Sequence, residues 1–406
     1  MSKKFIIISI SVGLFLLLGA LVSYYFILKG DSQNPETEET GFFSFFPFGG
    51  NDGNSGENPG TTEPEPEVNI PIENYEQKLR LISREPVAGM GLTEASAGTI
   101  LRYIEKATGH IYEVELFSPN RRRVSNATLP VVYDSLWSES GSGLLAQYLA
   151  DDDKTVDVYG LSIRGISTTT ESVVSAVKFP PGITNISVFG NSVFYLQQNI
   201  SGSVGYTSNF ESGNKKQVWS SPIKEFESQY VGTRTVSLNT RPDPSSGGFL
   251  YFVDTNTGGV RNILRNIDGL TSLTSPSATS VLYSENGNRT ATYLYNVGSA
   301  TSENLSPATL PEKCVFSKKI TNVIFCGVPR DALGGAKLIS WYKGTTSLSD
   351  DVWKYEPNNP SSMVVNLNQE AGEFLDVIKP MLSPNERYFV FINKSDGSLW
   401  SLDLTK

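Results

Sequence analysis

The sequence predicts an all-β fold, a seven-bladed β-propeller preceded by one N-terminal transmembrane helix and a disordered acidic linker. Three observations lead to this prediction. A long uncharged apolar segment lies near the N-terminus, an acidic stretch without lysine or arginine follows it, and a strand-turn-strand pattern then recurs seven times. The corresponding predicted domains are residues 1–29, 30–75 and 76–406.

The first element is the apolar segment from Phe5 to Leu28, which contains no charged residue. At about 1.5 Å per residue, a helix of this length crosses a hydrocarbon core of about 30 Å. A cleaved signal peptide is the alternative, but the apolar run is longer than signal peptides use and no good cleavage site follows it. Because Lys3 and Lys4 precede the segment, we expect a single-pass protein of the cell membrane with a cytoplasmic N-terminus and an extracytoplasmic C-terminal domain.

The second element is the linker, in which residues 31–75 contain ten acidic residues and no lysine or arginine. Such a composition buries too little apolar surface to fold and is typical of a solvated linker. A coil of this length spans about 35–40 Å, so it holds the following domain away from the bilayer.

One part of this linker, GFFSFFPFGG at residues 41–50, is strongly apolar. Burying its phenylalanines contributes roughly 8–15 kcal/mol, whereas ordering its backbone costs about 10–20 kcal/mol, so the segment needs a preformed surface. We interpret it as a candidate docking motif for a second envelope protein. An accidental apolar patch is an equal alternative, and contact with the bilayer ranks below both. The candidate anchors are Phe42, Phe43, Phe45, Phe46 and Phe48.

The third element is the repeat in residues 76–406, where β-branched and aromatic runs alternate with Gly, Asn, Asp and Ser turns. A period of about 40–50 residues with four strand-sized segments is typical of propeller blades. An insertion at residues 331–349 interrupts the sixth copy. One aromatic residue per copy marks a predicted strand, and the seven are Tyr103, Tyr148, Tyr195, Tyr251, Tyr295, Phe325 and Phe391.

Closure of the ring can also be predicted. The seventh copy offers only three strands, near residues 374–381, 387–393 and 398–404. Residues 78–83, which follow the linker, form a spare strand. Because propellers are normally sealed by a blade that takes strands from both ends of the domain, we expect residues 78–83 to complete the seventh blade.

The two cysteines, Cys314 and Cys326, lie in the sixth copy. Folding the segment about Ile320 brings them opposite each other on the first two strands of that blade. In an exported domain this arrangement predicts a disulfide, with two buried free thiols as the alternative.

Charge and composition exclude several classes of function. Residues 76–406 carry a net charge of about −2, so the predicted domain lacks the basic surface of a nucleic-acid binder. His110 is the only histidine, which excludes histidine-rich metal sites, and no G-x-S-x-G motif accompanies it. We therefore expect no metal, no cofactor, no catalytic triad and no nucleic-acid partner.

Candidate binding residues fall in turns predicted to share one face of the ring. With the strands of a blade lettered A to D from the axis outward, the B–C and D–A connections lie on the same face. Several aspartates fall in or beside predicted B–C turns, although aspartate is also simply a favoured turn residue. They are Asp151, Asp152, Asp153, Asp254, Asp350, Asp351 and Asp396.

The insertion adds two aromatic candidates, Trp341 and Tyr342, above the same face. Long loops often carry function, and aromatic residues are favoured at interfaces. Burial of Trp341 within the insertion is an equal alternative. Residues 121–123 (RRR) are predicted to lie in a C–D loop on the opposite face, either solvated or as a patch for an acidic partner.

Residues 383–404, SPNERYFVFINKSDGSLWSLDL, resemble the TolB-type repeat, whose turn begins Ser-Pro-Asp-Gly. Residues 137–149 and 283–295 are looser copies, and Glu386 stands where the pattern prefers glycine. With its predicted anchor and linker, the chain is similar to membrane-anchored TolB-like and WD-like propeller proteins of bacteria, notably of candidate-phylum lineages. The resemblance implies a binding or scaffolding role and transfers no catalytic residue.

The function that these observations favour is a binding or scaffold module that engages an envelope protein or a surface polymer through one propeller face. The alternative is a polysaccharide-acting hydrolase or lyase that uses aspartates of that face. The sequence leaves an enzymatic activity open and favours a role without one.

Overall fold

The computed structural model describes residues 76–125, 128–129, 131–150, 155–164, 173–243 and 246–406. The chain divides into two units, residues 1–52 and 53–406, and every described residue belongs to the second. The predicted transmembrane helix and linker lie outside the described residues. Within the described part, no helix is both long and apolar enough to cross a membrane.

Seven four-stranded antiparallel sheets form the blades of a β-propeller, which confirms the predicted all-β class and blade number. Blade one contains β2 (Val87–Ala95), β3 (Gly98–Glu105), β4 (Ile111–Glu115) and β5 (Arg121–Ser125). Blade two contains β6 (Val132–Trp137), β7 (Gly143–Leu149), β8 (Val156–Arg164) and β9 (Val173–Lys178). Blade three contains β10 (Ile183–Phe189), β11 (Ser192–Asn199), β12 (Gly202–Asn209) and β13 (Lys216–Ser221). Blade four contains β14 (Phe226–Val231), β15 (Thr235–Thr240), β16 (Gly247–Asp254) and β17 (Val260–Asp268).

The remaining blades have the same plan. Blade five contains β18 (Thr271–Thr274), β19 (Ser280–Asn286), β20 (Thr290–Asn296) and β21 (Thr301–Leu305). Blade six contains β22 (Cys314–Phe316), β23 (Ile324–Pro329), β24 (Asp350–Tyr355) and β25 (Ser362–Val365). Blade seven contains β26 (Val377–Leu382), β27 (Tyr388–Asn393), β28 (Leu399–Asp403) and β1 (Leu79–Ser83). Helix α1 (Gly335–Tyr342) joins β23 to β24, α2 (Leu367–Ala371) joins β25 to β26, and a 3-10 turn (Pro311–Lys313) precedes β22.

The hydrophobic core lies between neighbouring blades. Strand β27, with the sequence YFVFIN, has all six of its side chains buried, as a continuous apolar run predicts. One cluster joins Phe194 of blade three to Val236 of blade four, and another joins Leu101 of blade one to Val390 of blade seven. Burial of each such side chain contributes about 1.5–3 kcal/mol.

The two faces of the ring follow from the strand directions. Contacts such as β10 with β14 and β22 with β26 place the first strands of the blades around a central channel. Each first strand runs from the face with the D–A and B–C connections, here named the upper face, to the face with the A–B and C–D connections, named the lower face. The insertion with α1 is a B–C connection and so belongs to the upper face.

Strand β1 closes the ring as the sequence predicts. It pairs antiparallel with β28, with Leu79 opposite Leu402 and Leu81 opposite Trp400. Cys314 and Cys326 are opposite each other on β22 and β23 and form a disulfide with a Cα–Cα distance of 4.1 Å.

In blades four and five the predicted strand-turn-strand units are displaced by one strand. Residues 249–264 and 291–306 form the third and fourth strands of their blades, whereas the second strands are β15 and β19. The reason is that β15, TVSLNT, is mostly polar in sequence and gives a weaker apolar signal than FLYFVD in β16. Asp254 therefore lies in a C–D turn on the lower face, and its predicted place on the upper face is wrong.

The three arginines at 121–123 belong to strand β5, so the prediction of a C–D loop is also wrong. Arg122 forms an ion pair with Glu113 of the neighbouring strand at 2.7 Å, and the guanidinium carbon of Arg121 lies 5.0 Å from the centre of the Tyr112 ring. Arg121 and Arg122 therefore have partners within blade one.

The TolB-type turns connect the first and second strands of blades two, five and seven. Ser138, Ser275 and Ser383 each accept a hydrogen bond from the backbone N–H five residues later, at 2.9–3.1 Å. The residue three positions after each serine has φ between 56° and 65°, a conformation that favours glycine. The copy in blade five therefore begins at Ser275, and the predicted copy at 283–295 is a B–C turn instead.

Candidate functional site

Two glutamates and a tyrosine line the upper mouth of the central channel. Glu227 is the second residue of β14, and Glu312 lies in the 3-10 turn before β22; both side chains reach solvent. Tyr342, the last residue of α1, donates a hydrogen bond from its hydroxyl to Oε1 of Glu312 at 2.7 Å. Glu227, Glu312 and Tyr342 are named the glutamate cluster.

Although these side chains reach solvent, the protein around them still reduces the hydration of their charged forms. Burial, the largest cause, and the charge of Glu312 together raise the pKa of Glu227 to about 7. Burial also raises the pKa of Glu312, against the opposing effect of the hydrogen bond from Tyr342. The pKa of the Tyr342 hydroxyl is raised by burial first and then by Glu312. Glu227 therefore exchanges a proton near neutral pH, which is typical of functional carboxyls.

A groove of about 640 Å³ on the upper face extends outward from Glu227 across blades two, three and four. Its walls include the exposed side chains of Thr184, Gln198 and Lys224. Arg241 and Glu225 form an ion pair at 3.2 Å on its edge and are 70% and 59% exposed. The groove thus presents amide, hydroxyl and charged groups of both signs to the solvent.

The lower mouth of the channel has a different character. It contains a cavity of about 280 Å³ lined by residues of all seven blades, among them Trp137, Phe189 and Tyr230. An ion pair of 2.9 Å between Lys318 and Glu139 joins the A–B turns of blades six and two beside this cavity. The lower end is therefore mainly apolar, whereas the upper end is polar.

Two of the predicted acidic site residues, Asp350 and Asp351, are buried at the start of β24 rather than exposed in a turn. Asp350 is 2.6 Å from Nζ of Lys313, and both side chains are fully buried. Asp351 pairs with Arg330 at 2.7 Å and accepts a hydrogen bond from the backbone N–H of Leu367. The predicted exposed turn position is therefore wrong, and both carboxyl groups have partners inside the protein.

The two aromatic candidates of the insertion have different environments. Trp341 is 3% exposed, packs against Leu333 and Leu338, and donates from Nε1 to Oδ2 of Asp376 at 2.8 Å. It corresponds to the buried alternative. Tyr342 is 45% exposed and faces the channel mouth as part of the glutamate cluster.

Other candidates have local roles or lie outside the described residues. Asp396 is in a B–C turn and accepts a hydrogen bond from the backbone N–H of Ser398 at 2.9 Å. His110 is also near a B–C turn, with Nε2 3.4 Å from the hydroxyl of Thr128. No group of three potential metal ligands occurs within the described residues. The candidates outside them are Asp151, Asp152, Asp153, Phe42, Phe43, Phe45, Phe46 and Phe48.

Sequence reasoning missed Glu227 and Glu312. The predicted site residues lie in B–C turns, whereas the D–A connections open on the same face and carry these two glutamates. Glu227 in FES and Glu312 in PEK each lie where a D–A connection enters a first strand. A charged residue at that position of a propeller repeat is the signal that identifies a channel-lining side chain.

The fold and these two mouths define a seven-bladed β-propeller with a polar upper opening. No protein-family model matches the chain, and no curated protein matches it. Among solved structures, the chain is similar to the β-propeller domain of the Trilobed protease from Pyrococcus furiosus, with 8% identity, coverage of 79% of this chain and 95% of that one, and a TM-score of 0.50.

Two further solved structures belong to the same comparison. The GH74 enzyme of Niastella koreensis has 11% identity and a TM-score of 0.51 over 81% of this chain and 54% of that one. TolB from Acinetobacter baumannii has 10% identity and a TM-score of 0.38 over 77% and 62%. The chain thus spans about half the length of the GH74 enzyme. At these identities the similarities to the Trilobed protease domain and to the GH74 enzyme support the propeller fold alone. The similarity to TolB, with its lower TM-score, supports no conclusion.

Proposed function

We propose that this chain is a membrane-anchored, extracytoplasmic binding or scaffold protein that engages an envelope protein or a surface polymer through the upper face of its propeller. Residues 1–29 anchor it to the cell membrane with the N-terminus in the cytoplasm, and residues 30–75 hold the propeller away from the bilayer. This arrangement makes the propeller face available to large partners at the cell surface.

The observation that carries the proposal is the open groove of about 640 Å³ beside Glu227. Its volume is within the range of about 300–1,000 Å³ that is common for ligand sites. Among the described residues, no side chain forms a salt bridge or a hydrogen bond with the carboxyl group of Glu227, and Arg241 acts on it only through its charge. A polar chain with hydroxyl or cationic groups is complementary to this groove. Its groups can take the place of the water that hydrates the side-chain amides, Glu227 and the Arg241–Glu225 pair.

The experiment compares two matched arginine variants of blade four. Arg241→Ala removes an exposed ion pair from the groove, whereas Arg234→Ala removes a similar exposed pair, with Asp254 at 3.0 Å, from the lower face. Partners are captured from solubilised membranes, and isolated surface polymer is tested by co-sedimentation. We expect Arg241→Ala to weaken binding several-fold and Arg234→Ala to leave it unchanged. Equal effects of the two variants, or no partner for the unaltered protein, would refute the proposal.

A second candidate function is a polysaccharide hydrolase or lyase, favoured by the glutamate cluster rather than by the aspartates. A carboxyl with a pKa of about 7, as in Glu227, is suited to act as a general acid, and Glu312 supplies the second carboxyl. Release of reducing ends from surface polysaccharide should then disappear in both Glu227→Gln and Glu312→Gln. If the unaltered protein releases none, the binding function is retained and the enzymatic one rejected.

The phenylalanine-rich segment is proposed as a second contact with an envelope protein. Its test replaces Phe42, Phe43, Phe45, Phe46 and Phe48 with serine and compares the partners that co-purify from crosslinked membranes. We expect at least one partner to be lost from the variant. An unchanged partner list, with unchanged binding to protein-free liposomes, rejects the docking motif.

A further inference from the structure

A buried polar cluster lies beneath α1, on the inner side of the glutamate cluster, because Lys313 follows Glu312 and the ring of Trp341 contacts that of Tyr342. Lys313, Asp350 and Asp376 have no exposed side-chain area. Nζ of Lys313 lies 2.6 Å from Oδ2 of Asp350 and 2.5 Å from Oδ1 of Asp376, and it donates to the carbonyl oxygen of Val377 at 3.1 Å. Removal of ionised groups from water is costly even when they pair. The burial of three ionisable groups therefore has a free-energy cost that ion pairing alone does not explain.

The two carboxyl groups of the cluster have unequal surroundings. Both oxygens of Asp376 are engaged, because Oδ2 accepts from Nε1 of Trp341 and from the backbone N–H of Leu348, both at 2.8 Å. In Asp350, Oδ2 accepts from Lys313 and from the backbone N–H of Val377, whereas the buried Oδ1 has no hydrogen-bond partner among the described residues. Unpaired buried carboxyl oxygens are rare in folded proteins.

We propose that Lys313 and Asp350 join in an intramolecular isopeptide bond between Nζ and Cγ, and that the unpaired Oδ1 of Asp350 leaves as water. In the product the amide carbonyl oxygen is the former Oδ2, which keeps its hydrogen bond from the N–H of Val377. The amide N–H keeps Asp376 or the carbonyl of Val377 as its acceptor. The bond eliminates the unpaired oxygen and the buried ammonium together.

The reaction balances with the groups of the cluster alone. Burial raises the pKa of Asp350 to about 6, so its neutral carboxyl form, the electrophile, is more populated than in an exposed aspartate. The Asp376 carboxylate takes one proton from the Lys313 ammonium, and the neutral amine attacks Cγ of Asp350. Asp376 then gives its proton to the departing Oδ1 and takes a second proton from the nitrogen. The products are one amide, one water and a protonated Asp376, so no oxidant or further reactant is required.

The surroundings favour condensation over hydrolysis because they exclude solvent. The ring centre of Trp341 lies 5.0 Å from Nζ of Lys313, and Lys394 covers the same ring, also at 5.0 Å, while donating to the backbone carbonyl of Trp341. Leu338 and Leu348 complete the apolar wall. The proposed bond would join the start of β22 to the start of β24 and so staple two strands of blade six across β23.

The test is a mass measurement on the full-length protein after reduction of its disulfide and denaturation. We expect a mass lower than the sequence mass by one water, and a crosslinked peptide pair that contains Lys313 and Asp350 after proteolysis. The matched control is the ion pair of Lys178 and Asp157, with an N–O distance of 2.9 Å but substantial exposure, which should give only unmodified peptides.

The possible outcomes either support or overturn the proposal. The full sequence mass, with an unmodified peptide cleaved after Lys313, overturns it. A water loss mapped to a succinimide at Asp396, which precedes Gly397, also overturns it, as does a crosslink from Lys313 to Asp376. Asp376→Asn should abolish the bond while the β-sheet signal in circular dichroism is retained. A variant that is still fully crosslinked would overturn the role of Asp376 in the proton transfer. The result for the unaltered protein does not depend on whether this variant folds.

Discussion

Removal of the closing strand β1 should eliminate most of the stability of this propeller. Leu79 and Ile82 are each 3% exposed, and burial of two such side chains contributes about 3–6 kcal/mol. Four register pairs join β1 to β28, and the loss of their hydrogen bonds at about 1 kcal/mol each adds a few more. The total of about 5–10 kcal/mol is comparable with the whole free energy of unfolding of a typical domain, about 5–15 kcal/mol.

The assay is urea denaturation of two truncated proteins, followed by tryptophan fluorescence. Deletion of residues 1–74 retains β1, whereas deletion of residues 1–83 removes it and exposes the edge of β28, a site for aggregation. We expect a cooperative transition in the first protein and none in the second. Equal urea midpoints would refute the reasoning. As a finer comparison, Ile82→Ala should cost about 2–5 kcal/mol, whereas Ile320→Ala, at a side chain that is 55% exposed, should cost almost nothing.

Three further predictions concern the disulfide and two glutamates. Reduction of the disulfide, which closes a loop with a sequence separation of 12, should lower the free energy of unfolding by about 3 kcal/mol, and an unchanged urea midpoint with reductant would contradict this. Glu386→Ala should lower the free energy of unfolding by about 1–3 kcal/mol because three hydrogen-bond donors lose their acceptor. Glu386→Gly should be the more stable of the two variants because φ at this position is 58°, and thermal unfolding measures the difference. Because folding raises the pKa of Glu227 from 4.5 to about 7, its contribution to stability is greatest at low pH and falls as the pH rises between these values. Glu227→Gln should therefore raise the melting temperature at pH 8 relative to the unaltered protein, with Glu225→Gln as the control that should not.

The parts of the fold that the sequence predicted correctly are those with strong local signals. The apolar runs of blades one, two, three, six and seven, such as YFVFIN in β27, need both faces covered and so identify buried second strands. The closing strand could be predicted because a three-stranded seventh copy leaves an open edge and LRLIS supplies the missing strand. These inferences require only short-range patterns and the rule that a propeller ring closes.

The predictions that were wrong depended on partners distant in sequence. Asp350 appears in sequence as a turn aspartate, but its environment is set by Lys313, which is 37 residues earlier, and by the insertion that covers both. Asp376 likewise meets Lys313 from 63 residues away. No local pattern distinguishes an aspartate that projects into solvent from one that pairs with a buried lysine. The error in blade four has another cause, since a polar second strand stabilised by its neighbours carries no apolar signal of its own.

Glu386 departs from the TolB-type pattern, and its contacts explain one difference between the two channel mouths. Glycine suits the φ of 58° at this position, and a glutamate there is strained by about 1–2 kcal/mol. Its carboxylate offsets that strain by accepting hydrogen bonds from the hydroxyl of Ser317 and from the backbone N–H groups of Lys318 and Lys319. This contact ties blade seven to the A–B turn of blade six, and Lys318 in turn reaches Glu139 of blade two.

The charged groups of the lower mouth are therefore engaged in contacts between blades, and a ligand that bound there would have to break those contacts. On the upper face, by contrast, Glu227 forms no salt bridge or hydrogen bond among the described residues, and the neighbouring groove is open. A ligand gains more free energy by pairing with a carboxylate that has no partner than by replacing a partner already in place. This difference between the two mouths favours binding at the upper face. It does not depend on the aspartates of the B–C turns, on which the sequence-based hypothesis rested.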